Sequence, residues 1–109
     1  MEENNKNENI KKVQEVLKNV VKVENVTSSR GNTIPNQFIM YGQGWTLFQS
    51  YKSPIAMLKG GKTFIFKDWD YSTTTGKYRN EFLGEEKKDT LKKLKSGEYI
   101  AVDFDINLI

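Results

Sequence analysis

The apolar positions of the chain begin in a helical rhythm, turn to alternation, and become helical again before a last alternating stretch. Ile10, Val13, Leu17, Val20 and Val21 form one stripe at a 3.6-residue period, with Lys11, Lys12, Glu15, Lys18 and Asn19 on the other side. That spacing predicts an amphipathic helix over 10–21, with Asn9 as its N-cap. Residues 1–9 are a polar, Asn- and Glu-rich lead with nothing to bury, and read as disordered. Val21, Val23 and Val26 suggest a short strand. The run 28–37, broken by Gly31 and Pro35, reads as a long polar loop.

The middle of the chain reads as a β-meander. Strands are expected at Phe38–Tyr41, Trp45–Tyr51, Pro54–Leu58 and Lys62–Lys67. Gly60-Gly61 is the firmest turn among them, because both central residues of a two-residue hairpin loop take positive φ. Ser72-Thr73-Thr74-Thr75 then precede Tyr78 and Phe82, four residues apart, which marks a capped short helix ended by Gly84. Glu85–Lys95 is a further helical stretch, with acids early, lysines late and Gly97 beyond its end. Tyr99–Phe104 alternates once more, with Ile100, Val102, Phe104 and Ile106 on the apolar side. The expected fold is α+β: an antiparallel sheet of about five strands with an N-terminal helix and a C-terminal helical pair packed on one face. Residues 10–109 form the single domain.

Composition narrows the chemistry. The chain has neither Cys nor His, which removes disulfides, thiolate and imidazole metal sites, Cys nucleophiles and Ser-His catalysis. No catalytic residue, enzyme activity or cofactor is expected. The hydrophobic fraction is only 37%, but aromatic residues at 12% supply large buried areas. No apolar run is long enough for a membrane span. The start, MEENNKNEN, is acidic where a signal peptide is basic and then apolar, so a cytoplasmic setting is expected. The net charge of +3 is uneven: residues 30–83 carry seven Lys and Arg against three acids, whereas residues 98–109 are purely acidic. A basic middle suits an anionic partner.

The segment Phe48-Gln49-Ser50-Tyr51-Lys52-Ser53-Pro54-Ile55-Ala56, followed by Trp69-Asp70-Tyr71-Ser72-Thr73-Thr74-Thr75-Gly76-Lys77-Tyr78-Arg79-Asn80, resembles a small domain common in phage and mobile-element proteins of unknown function. That domain pairs an SY-x-[ST]-x-IA strand with a YS-x-TT-x-K turn and helix. The resemblance covers roughly residues 26–100 and extends upstream to Ser28-Ser29-Arg30-Gly31-Asn32 and Asn36-Gln37-Phe38. It implies a phage-type protein acting in the host cytoplasm. The family pattern also implies a His after the helix lysine. Tyr78 stands there instead, so no role resting on that His carries over.

Four groups of residues invite a chemical reading. Gly60-Gly61-Lys62-Thr63 looks like the end of a phosphate-binding loop, but Ala56 stands where that loop needs Gly and a strand follows, so a plain hairpin is expected. Asp68 with Asp70, and Asp103 with Asp105, are i, i+2 pairs able to hold a divalent cation if the segments meet; exposed strand faces and turns are commonly acidic, so no metal site is expected. Ser72, Thr73, Thr74 and Thr75, with Lys77 and Arg79 just inside the helix, suit an anion at a helix N-terminus; simple capping is the alternative. Arg30, Trp45, Tyr51 and Lys52 mix aromatic and basic side chains as single-strand nucleic-acid binders do, although core packing also uses strand aromatics. Two functions follow. One is a non-enzymatic phage-type protein that binds and inhibits a host protein or nucleic-acid–protein complex, such as a defence or replication component. The other is an accessory protein that binds nucleic acid directly on a basic, aromatic sheet surface. The oligomeric state is left open.

Overall fold

The computed structural model describes residues 20–102. They form a six-stranded mixed sheet in sequential order: β1 (Val20–Thr27), β2 (Thr33–Gly42), β3 (Trp45–Ser50), β4 (Ser53–Lys59), β5 (Lys62–Phe66) and β6 (Ile100–Val102). Two helices, α1 (Thr73–Leu83) and α2 (Lys87–Ser96), lie between β5 and β6. The α+β class is as expected. The helix over 10–21 lies outside the described residues except for Val20 and Val21, and these two belong to β1. Their β-branched side chains suit a strand, and Val20 pairs with Gly42.

Two further differences have local causes. The loop expected over 28–37 shrinks to 28–32, since β2 already begins at Thr33. Pro35 is tolerated because the ladder between β1 and β2 is interrupted there: its register shifts between Asn25/Phe38 and Thr27/Thr33, and Asn36 takes a left-handed φ of 63°. The sheet is also not wholly antiparallel. The two helices carry the chain back to the end where β5 began, so β6 pairs with β5 in parallel, Phe64 opposite Ile100 and Phe66 opposite Val102.

Alternation along the strands loads both faces. Phe48, Ile55, Ala56 and Ile65 pack with Tyr78 of α1 and Tyr99, and with the half-buried Phe82, Leu83 and Leu94. Met40, Trp45, Leu47, Met57, Phe66 and Val102 form a second buried cluster on the opposite face. Helix α1 opens with Ser72 as N-cap, its hydroxyl accepting from the Thr75 N–H at 3.1 Å, and closes at Gly84, whose φ of 68° needs no Cβ penalty.

Two ionic knots tie the helices down. The Asp70 carboxylate meets Arg79 of α1 at 3.0 Å and Lys87 of α2 at 2.6 Å. Glu85, on the link between the helices, accepts from Thr90 at 2.6 Å, from Lys93 at 2.8 Å and from the Tyr99 hydroxyl at 2.7 Å. Burial pushes both carboxyls up, but their hydrogen-bonded partners outweigh it and leave both below the ordinary range.

Candidate functional site

In a meander, alternate connections lie at the same end of the sheet. The β1–β2 turn, the β3–β4 turn and the link from β5 to α1 therefore share one end, and the β2–β3 and β4–β5 turns share the other. The first end holds a cavity of about 600 Å³ lined by Asn36, Phe38, Gln49, Tyr51, Lys52, Ser53, Asp68 and Tyr71.

The β3–β4 turn shapes it. Ser50 pairs with Ser53, leaving only Tyr51 and Lys52 to reverse the chain. Tyr51 takes a left-handed φ of 56°, which is uncommon for a non-glycine residue and costs roughly 1–3 kcal/mol. Its main chain is fixed from both sides: its N–H donates to the Asn36 carbonyl at 2.7 Å, and its carbonyl accepts from Gln49 Nε2 at 2.6 Å. Tyr51 remains 43% exposed, and its ring meets that of the 50% exposed Tyr71 edge-on, with centroids 6.2 Å apart. Below them, Ser53 donates to Asp68 Oδ2 at 2.9 Å. The result is a cleft with two aromatic walls, a carboxylate and the exposed Lys52 at its rim.

The expected site residues are dispersed by this geometry. Tyr51 and Lys52 line the cleft. Arg30 is exposed on the β1–β2 turn at the same end of the sheet. Thr73 and Thr74 are exposed in the first turn of α1, whereas Ser72 and Thr75 spend their hydroxyls internally: Ser72 donates to Thr75 Oγ1 at 2.9 Å, and Thr75 meets the Ser50 hydroxyl at 2.8 Å. Capping and strand-to-helix bonding account for that pair. Lys77 is exposed, with its ammonium 5.3 Å from the Tyr78 ring centroid.

Two of the residues stand inside the protein. Arg79 is 1% exposed; Nη1 donates to the Trp69 carbonyl at 2.7 Å and Nη2 to Asn80 Oδ1 at 2.9 Å, and the guanidinium lies over the Trp69 ring. Trp45 is 4% exposed, in the cluster opposite the helices, because strand alternation places it beside Leu47. Neither side chain is available to an anion or a base.

Gly60-Gly61-Lys62-Thr63 is a hairpin turn, with φ of 57° and 76° at the two glycines. The first aspartate pair divides its labour: Asp68 faces Ser53, while Asp70 holds Arg79 and Lys87. Asp103 and Asp105 lie outside the described residues. No cluster of three metal-ligating side chains occurs among the described residues.

The cleft residues Asn36, Phe38, Gln49, Ser53 and Tyr71 carry no assigned binding role in the sequence alone, and Asp68 enters there only as half of a possible cation pair. A signal for the first five is present: Asn36 and Phe38 lie in the upstream extension of the resemblance, Gln49 and Ser53 in its first quoted segment and Tyr71 in its second, and the fold brings these segments together around the cleft.

The fold and site together define a small α+β protein with an aromatic-walled cleft at one end of a mixed sheet. Residues 21–98 match the model of a family of unknown function, DUF8033, and the chain belongs to that family. Comparison with curated proteins and with solved structures finds no match to either. Among the described residues, no helix is long and apolar enough to cross a membrane.

Proposed function

We propose that this protein is a non-enzymatic, phage-type binding protein that engages and modulates a host macromolecule through the Tyr51–Tyr71 cleft. One observation carries the reading: Tyr51 is held in a left-handed conformation by two main-chain hydrogen bonds while its ring stays half exposed beside Tyr71. A glycine would reverse the chain there without strain, so the tyrosine is kept for what its ring does. Exposed tyrosines with few rotatable bonds are efficient contact residues. The carboxylate of Asp68 suits a ligand that brings hydrogen-bond donors, as a protein segment does.

Tyr51→Gly separates the two roles. The variant is expected to be as stable as the wild type, or more stable by about 1 kcal/mol, because glycine removes the φ penalty. Its retention of the partner captured by the wild type from host lysate is expected to vanish, and Tyr71→Ala is expected to behave alike in capture. A Tyr51→Gly protein that still retains that partner sinks the reading.

Direct nucleic-acid binding is the second reading, favoured by the same two rings beside Lys52 and by Arg30 at the same end. Its ligand stacks on Tyr51 and Tyr71, since Trp45 is interior. Labelled single-stranded oligonucleotides decide it: anisotropy that rises at low salt and falls steeply as salt increases supports it, and a flat response removes it.

A further inference from the structure

Strand β1 (Val20–Thr27) is an edge of the sheet, bonded on one side to β2 and on the other to no described strand. An open edge offers unpaired N–H and C=O groups to a further strand, and proteins usually blunt such edges with proline, an isolated charge or a bulge. The central part of β1 has neither proline nor bulge, and its two charges, Lys22 and Glu24, are opposite in sign and offset each other. From Lys22 to Asn25 its register with β2 is regular, with both irregularities outside that stretch. Val21 and Val23 are 77% and 52% exposed. The charges here come as one of each sign, Lys22 and Glu24, on either side of Val23, and their side chains share a face of the sheet.

We propose that β1 pairs antiparallel with β1 of a second copy, about a two-fold axis at Val23. In that register Lys22 of each copy stands opposite Glu24 of the other, Val23 stands beside Val23, and Val21 opposite Asn25. Opposite residues in an antiparallel pair point to the same face, so both ion pairs form on the face where Lys22 and Glu24 already lie. The charges also select the register: an axis at Lys22 sets lysine against lysine, and one at Glu24 sets glutamate against glutamate. Each is repulsive. The contact is isologous and closes on itself, giving a dimer with one continuous sheet rather than a fibre. The two Tyr51–Tyr71 clefts then lie at opposite ends of that sheet.

Sedimentation velocity at low salt tests this with Val23→Lys, Val23→Glu and their equal mixture. Val23 is half exposed, so each variant is expected to keep the wild-type circular dichroism. The wild type is expected to sediment as a concentration-dependent dimer. Each variant alone is expected to be monomeric, because two like charges meet at the axis. The mixture is expected to recover the dimer, because unlike charges meet there. A wild-type monomer at all soluble concentrations overturns the proposal, whichever segment then occupies the edge. So do single variants that remain dimeric, or a mixture that remains monomeric.

Discussion

Arg79→Ala is expected to lower the stability of the protein by about 3 kcal/mol, within the range seen when one partner of a buried ion pair is removed. For a domain of this size that corresponds to a fall in Tm on the order of 15 °C. The reason is what the guanidinium leaves behind. The Trp69 carbonyl loses its donor, the face of the Trp69 ring is uncovered, Asn80 loses its partner, and Asp70 keeps only Lys87. Trp69 and Asp70 belong to the link that leads from β5 into α1, so the entry to the helices loosens. Arg79→Lys is expected to recover little, since one ammonium cannot bond two separated acceptors and lie flat on an indole. Thermal melts of both variants check this; a lysine variant as stable as wild type refutes the forked-donor account.

The acid limb of stability carries the same signature. Asp70 titrates below its ordinary range in the folded protein, so its ion pairs contribute above about pH 4, the unfolded value, and are lost as pH falls through the folded one. Glu85 has the same sign. The Arg79→Ala variant is therefore expected to show a smaller loss on acidification than wild type, with the part due to Glu85 retained.

Gly42→Ala is expected to cost about 3 kcal/mol, an overpacking penalty at the upper end of the usual range. A Cβ at Gly42 would collide with the Trp45 ring, which lies across the glycine where the two residues close the β2–β3 hairpin. The ring has nowhere to retreat, since Trp45 is packed in the cluster of Met40, Leu47 and Met57. Trp45→Ala alone is expected to cost about 3–5 kcal/mol through the cavity it leaves. The informative quantity is the coupling. In the Trp45→Ala background, Gly42→Ala is expected to be nearly neutral, because the obstruction is gone. Urea midpoints of the four proteins measure it, and strictly additive losses would show that the glycine serves some other purpose.

The parts of the fold legible in the sequence are those written in local spacing. The strands expected at Trp45–Tyr51 and Lys62–Lys67 stand one residue shorter, with Tyr51 turning the chain instead of ending β3, and the glycine pair between β4 and β5 and the caps Ser72, Gly84 and Gly97 stand where their residue types place them. What was not legible depends on distant partners. Val20 and Val21 fit the stripe of the preceding segment and a strand equally; pairing with β2 decides between them. Pro35 punctuates like a loop residue, yet an irregular ladder absorbs it. No local signal encodes the direction of β6, which follows from where the helices deliver the chain.

The candidate site divides in the same way. Tyr51 and Lys52 carry their aromatic and basic character openly. Phe38 and Asp68 reach the wall of the cleft only because the connections gather at one end of the sheet. Alternation assigns Trp45 to a face without saying whether that face is covered, and the burial of Arg79 rests on a carbonyl ten residues away.

The parallel pairing of β6 with β5 has a consequence for the order in which the protein assembles. The first five strands close through short turns, each bringing sequence neighbours together at small entropic cost. The β5–β6 ladder closes only across the entire two-helix excursion, so it is the non-local kind of contact whose closure entropy is largest and which is expected to form late. Contacts formed after the folding barrier govern how fast a protein comes apart rather than how fast it forms. Loss of the β6 ladder is therefore expected to raise the unfolding rate more than it lowers the folding rate, which stopped-flow measurements of a Val102→Ala variant check.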